Sequence, residues 1–164
     1  MYKGTLKFIN RHPAARGIVR MLRNIDAPEF HREVADLDFR TPVGLASGFD
    51  TAAEYYLGVS AMGCGFEIAG PLAFTQKGGV RGAIANIRQM PPKRIRLGIN
   101  ITKAPSSKTE DEIAHDFLDA FNYAYDFVDF TVLNFSSDSI GAVHELAFRS
   151  EERRVGKECR SRWS

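Results

Sequence analysis

Apolar residues recur along this chain in two rhythms, and the rhythms take turns. In "PAARGIVRMLRNI", residues 13–25, Ile18, Met21, Leu22 and Ile25 follow helical spacing. Pro13 suits a first turn, so the stretch predicts a helix. "VADLDFR" at 34–40 alternates apolar and polar residues, which predicts a short exposed strand or hairpin arm. The run through Val43, Gly44, Leu45 and Ala46 predicts a buried strand over 42–47. Side chains then nearly vanish at Ser47 and Gly48, just before Asp50. A tight turn accounts for this, and so does a flat ligand against the backbone. "TAAEYYLGVSAMG" at 51–63 reads as a helix, with Thr51 and Glu54 in a capping-box pattern and Gly63 to end it.

The second half repeats the alternation. "GFEIAG" at 65–70 predicts a short strand. Residues 71–93 are rich in Gly and charge and read as a loop. "IRLGINI" at 95–101 is a third strand. "SKTEDEIAHDFLDAFNYAYDF" at 107–127 is the clearest helix, with a second capping-box pair in Thr109 and Glu112. Its expected apolar face is Ile113, Phe117, Phe121 and Tyr125. "VDFTVLNF" at 128–135 is a fourth strand, followed by "SSDS". Strands mostly alternating with helices predict an α/β fold with a parallel, helix-covered sheet. Small or amide residues gather at three strand ends: Ser47 with Gly48, Asn100, and Asn134 with Ser136 and Ser137. In parallel α/β folds the carboxyl ends of the strands carry the ligand.

Composition narrows the picture. At 164 residues, 44% hydrophobic and 26% charged, the chain is long and apolar enough for one folded domain. No apolar run approaches the ~20 residues of a membrane span, and the N-terminus lacks a secretory signal's apolar core. Cys64 and Cys159 make neither a disulfide framework nor a metal cluster, which suits a reducing, cytoplasmic compartment. Five of the 22 Lys/Arg and three of the 20 Asp/Glu lie in residues 150–164, so the formal +2 sits entirely in that tail. The balanced remainder gives no basic footprint for nucleic acid. The tail, "SEERRVGKECRSRWS", has no periodicity and resembles a translated sequencing adapter. The expectation is that it is non-native and that the natural protein continues past about Arg149.

Four blocks, "TPVGLASGFDTAAE", "MGCGFEIAGPLAFTQKGG", "LGINITK" and "VLNFSS", occur in an order that resembles the dihydroorotate dehydrogenases, over about residues 2–145. The resemblance is to the N-terminal half of that family and is closest to the quinone-linked class, which uses a Ser base. It implies the first half of a (β/α)8 TIM barrel, with about four strands over residues 34–149. Residues 1–33 would be a helical extension that meets membrane and quinone, at the membrane's cytoplasmic face. It implies an FMN-dependent oxidoreductase that converts dihydroorotate to orotate in pyrimidine biosynthesis. Ser47 and Gly48 match the segment lying against the flavin, and Asn100 matches a flavin-contacting Asn. Asn134 matches an Asn touching both flavin and substrate, and Ser137 matches the catalytic base. Cys64 precedes the second strand, at the opposite end of the sheet from such a base.

The departures are as specific. The family's Lys after the first-motif Asp is Thr51 here, where a helix N-cap is an adequate role. A flavin-contacting Thr aligns with Gly70, and an Asn after the Ser motif aligns with Ser139. The family's Asn-Arg-Met-Gly-Phe substrate loop is missing, and "IANIRQM" at 84–90 is at best its remnant. Three readings follow: a truncated family member, inactive as it stands; a flavin-binding paralogue with another substrate; or a catalytically silent structural or regulatory relative.

Overall fold

A computed structural model of the chain describes residues 2–23 and 28–135. Ser137, Ser139 and the tail at 150–164 lie outside the described residues.

Two helices open the chain, α1 (Tyr2–Arg11) and α2 (Pro13–Arg23). The first was not legible as a separate element; it packs Leu6 and Ile9 inward. The apolar stripe of α2 forms, but Ile18, Met21 and Leu22 face solvent, Met21 at 81% exposure. After a short turn of 3₁₀ helix at Pro28–Phe30, the 34–40 segment forms a hairpin. Strand β1 (Arg32–Val34) pairs antiparallel with β2 (Leu37–Phe39). Ala35 and Asp36 at the turn both have positive φ, as the two-residue type I′ connection requires.

The main sheet contains β3 (Gly44–Leu45), β4 (Phe66–Leu72), β5 (Arg96–Ile101) and β6 (Phe130–Leu133), parallel and in that order. The α/β class read from the alternation is therefore present. The buried strand expected over 42–47 is not: β3 has two residues and Val43 is 67% exposed. Its position at the sheet edge is the reason, since an edge strand has one neighbour and no second flank to bury its run.

One face of the sheet packs against α3 (Tyr56–Ala61), α4 (Val80–Arg88) and α5 (Glu110–Ala124). Ala69, Leu97, Ile99 and Ile101 meet Tyr56, Val80, Ile84, Ile113 and Phe117 there. On the other face Phe39, Phe66 and Phe130 form a cluster with centroids 5.9–6.4 Å apart, Phe66 meeting both of the others edge to face. Gly44 and Gly98 supply the room, because a Cβ on either would overlap the Phe66 or Phe130 ring.

Three expectations need correction. The segment read as a loop over 71–93 contains α4, whose Val80, Ala83, Ile84 and Ile87 are buried at helical spacing. The remnant stretch at 84–90 forms the end of that helix. The helix expected over 51–63 shrinks to 56–61, and Thr51 caps nothing. The Asp50 carboxylate accepts from the backbone N–H groups of Ala52, Glu54 and Tyr55 instead, so the capping box cannot form. On α5 the Thr109–Glu112 box does form. Its buried stripe, however, runs Ile113, Asp116, Phe117, Ala120 and Ala124, leaving Phe121 and Tyr125 exposed. An i, i+4 row drifts around a helix of 3.6 residues per turn, and the small alanines mark the side that approaches the sheet.

Candidate functional site at the carboxyl ends of the strands

The chain leaves β3 through Ala46 and Ser47 and turns back over the end of β4. Gly48 N–H donates to the Gly70 carbonyl at 2.7 Å, and Gly70 N–H donates to the Asp50 carbonyl at 2.8 Å. This pair prolongs the ladder beyond β3 and fixes the segment that carries Ser47 and Gly48. Two glycines make it possible. Gly70 has φ +128, and a Cβ on it would sit 2.5 Å from the Asn100 carbonyl oxygen. Gly48 has φ +103, and nothing lies within 4 Å of where its Cβ would be.

Across Gly70, Asn100 Nδ2 donates to Ser47 Oγ at 2.7 Å. The ends of β3 and β5 are thus tied side chain to side chain over a glycine of β4. Asn100 is 5% exposed, and its Oδ1 is buried with no hydrogen-bond partner. An unsatisfied buried carbonyl costs about 1–3 kcal/mol. Such an atom marks a place where a donor belongs. Asn134 follows β6, its N–H donating to the Ile101 carbonyl at 2.8 Å, so it stands beside the end of β5. Four of the five residues singled out from sequence, Ser47, Gly48, Asn100 and Asn134, therefore gather at the carboxyl end of the sheet. The fifth, Ser137, lies outside the described residues.

Two buried carboxyl groups were not singled out as site residues: Asp50, in the turn after β3, and Glu67, near the amino end of β4 in register with Leu97. Asp50 is buried and holds the three amides already named. Glu67, on β4, is fully buried, and neither carboxyl oxygen has a hydrogen-bond partner. Burial, with the nearby Asp50 carboxylate adding to it, pushes Glu67 up to about 9, so it is a neutral acid at pH 7. The signal was a lone charge inside the apolar "GFEIAG", a pattern that a half-exposed strand also explains. Cys64, just before β4, is pushed up by burial and then by Glu67, which suits an unreactive thiol.

No protein-family model matches the chain. Curated relatives do. A dihydroorotate dehydrogenase (quinone) of Flavobacterium lutescens is 31% identical over 136 residues, covering 67% of this chain and 38% of that protein. One of Cellvibrio japonicus is 29% identical over 147 residues (74% and 42%). One of Christiangramia forsetii is 27% identical over 157 residues (82% and 46%). Among solved structures, ligand-free DHODH from Eimeria tenella superposes with a TM-score of 0.64 at 23% identity, covering 90% of this chain and 52% of that one. The same protein in complex with ferulenol gives 0.63 at 22% identity (92% and 51%). The two structures speak for the fold; the curated relatives speak for descent. This chain, which spans less than half the length of the curated relatives it matches, is a member of the dihydroorotate dehydrogenase family, similar to the quinone-linked enzymes.

Proposed function

We propose that this chain is the first half of an FMN-dependent dihydroorotate dehydrogenase, with residues 34–149 as the partial barrel and residues 1–33 as the helical extension. The observation that carries the proposal is the buried, unpartnered Oδ1 of Asn100, beside the open backbone at Gly48. A flavin ring fits these features: it is flat, and its ring N–H would satisfy the Asn100 acceptor. FMN, when bound, supplies a hydride acceptor for the oxidation of dihydroorotate to orotate. Ser47 holds Asn100 in register by accepting from Nδ2. Asn134 serves both flavin and substrate. Ser137 is the base that takes the substrate proton, and it needs a neighbouring group to do so, since an unassisted hydroxyl is a poor base. A quinone as electron acceptor, reached at the cytoplasmic face of a membrane, agrees with the exposed Ile18, Met21 and Leu22 of α2. No helix among the described residues is long and apolar enough to cross a membrane.

One observation favours a second reading, a flavin-binding paralogue with another substrate. The connection between β4 and β5, where the family carries its substrate loop, is occupied by α4, and Thr51 stands where the family has Lys.

The chain alone is expected neither to retain FMN nor to oxidise dihydroorotate. The phosphate of FMN needs oriented N–H donors, which this family supplies from later strands. The test joins residues 1–149 to the remaining half of the Flavobacterium lutescens relative and measures flavin fluorescence quenching and dihydroorotate-dependent bleaching. Binding and bleaching by the chimera, bleaching lost in Ser137→Ala, is the expected result. Binding without bleaching moves the case to the paralogue. A chimera that folds and ignores FMN overturns the flavin site. Tight FMN binding by the unextended chain overturns the half-barrel reading.

A further inference from the structure

We propose that the cleft between α2 and the 91–94 loop binds a phosphate group, held by Arg16, Arg20 and Arg94. This cleft is separate from the Ser47–Asn100 site and does not rest on the flavin reading. It is a cavity of about 530 Å³ lined by Pro13, Arg16, Gly17, Arg20, Leu57 and residues 91–94. Among the described residues that line it, four are cationic and none is acidic. Of the four, Lys93 is already committed, with its Nζ 3.0 Å from Asp129. Arg16 uses one donor on the Asn10 carbonyl at the end of α1. Arg20 and Arg94 have no ion pair among the described residues.

The cations lie close enough to one another to interact. The Arg20 guanidinium is held below its ordinary range, by desolvation first and then by repulsion from Arg94 and Arg16. A cation in the last turn of α2 meets the negative end of the helix dipole, which explains Arg20 in part. Arg16 lies in the first half of the helix and Arg94 comes from a different element, so the dipole explains neither. Guanidiniums from two elements line this cavity with no carboxylate among its described lining residues, and guanidinium is the group that pairs with phosphate oxygens. The walls suit a ligand too. Gly17 leaves open space where a Cβ would otherwise project. A glycine inside a helix is otherwise unfavourable by roughly 1 kcal/mol relative to Ala.

The phosphate could belong to a soluble ester or to a lipid headgroup, and the experiment separates them. The full chain is titrated with inorganic phosphate and pyrophosphate by calorimetry at low salt. In parallel it is sedimented with phosphatidylcholine vesicles, with and without phosphatidylglycerol. The variants are Arg20→Gln with Arg94→Gln, the charge-keeping Arg20→Lys with Arg94→Lys, and Lys77→Gln as an exposed control elsewhere. Circular dichroism verifies that each variant folds. The Gln pair is expected to weaken binding at least about tenfold, the Lys pair by less, and the control by under about twofold. Arginine-dependent binding of phosphate or pyrophosphate assigns a soluble ester. Arginine-dependent binding confined to phosphatidylglycerol vesicles assigns a headgroup. No binding in either arm, or binding that the Gln pair and the control weaken equally, overturns the proposal.

Discussion

The two ends of the parallel sheet treat their polar atoms in opposite ways. At the amino end, Glu67 on the helix-covered face apart, side chains and backbone are tied into one network. The Tyr56 hydroxyl donates to the Ile95 carbonyl at 2.7 Å and accepts from Arg94 N–H and Ile95 N–H at 2.8 and 3.0 Å. Asp129 accepts from Leu97 N–H at 2.8 Å and pairs with Lys93 and Arg96. Arg96 Nε donates to the Asp38 carbonyl of the hairpin. At the carboxyl end, Asn100 Oδ1 is buried without a partner. The difference separates an end arranged for stability from an end left open for a ligand, the division expected of barrel folds. It also predicts where substitutions hurt.

The largest effect belongs to the amino end. Tyr56→Phe removes one hydroxyl and orphans one carbonyl and two N–H groups at once. Each orphan costs about 1–3 kcal/mol where water cannot reach it. A loss of roughly 2–4 kcal/mol in urea unfolding is expected. A loss under about 0.5 kcal/mol would mean that water replaces the hydroxyl and that this end is not closed.

Next comes a pH effect centred on Glu67. Its folded pKa of about 9 is raised from an ordinary 4.5. The folded state therefore holds a proton that the unfolded chain releases. The stabilising share is fully present below about pH 4.5 and is lost as pH rises through about 9. Glu67→Gln is neutral at every pH, so it should flatten the fall in stability between pH 5 and 9, read from melting temperatures. An unchanged slope in the variant would place the titration elsewhere.

How far the sequence carried this comparison depends on which forces decide each element. The hairpin, α2, α5 and the strands β4 to β6 were legible because local pattern and tertiary environment agree in them. Helix α4 was missed because Gly78, Gly79 and Gly82, with the charges around them, hid the row of Val80, Ala83, Ile84 and Ile87. The start of α3 was misread because Asp50, one residue earlier, outcompetes Thr51 for the same amides. At the site, the small and amide residues at strand ends were readable in advance. The neutral Glu67 was not, since its state depends on burial and on Asp50, which only the fold brings near it.

A smaller effect tests whether Asp129 acts through charge or shape. Asp129→Asn keeps an oxygen for Leu97 N–H but loses the charge facing Lys93 and Arg96. Both cations are about one-third exposed, with side-chain exposure of 34% each. Solvent screening therefore limits the ion-pair share, and a loss of about 1 kcal/mol is expected, shrinking in high salt. A salt-independent loss of that size would assign the role to hydrogen-bond geometry instead.

The smallest effect should come from Asn100→Ala, although Asn100 is one of the most buried polar residues of the chain. The substitution breaks the bond to Ser47 Oγ, a loss of about 1 kcal/mol, and also removes the unpartnered Oδ1, whose burial costs about as much. The two terms oppose each other. Ser47 is only half-buried, so water can take over its hydroxyl. Backbone placement should survive, because Gly48, Gly70 and Asp50 hold the neighbouring turn through main-chain atoms. A change in unfolding free energy within about 0.5 kcal/mol of zero is expected. In the chimera, the same substitution should weaken FMN binding at least about tenfold, because a ring donor would lose its acceptor. Stability unchanged and flavin lost is the signature of a residue kept for a ligand. A loss of stability above about 2 kcal/mol, with flavin binding intact, would make Asn100 a structural amide and erase the contrast between the two ends.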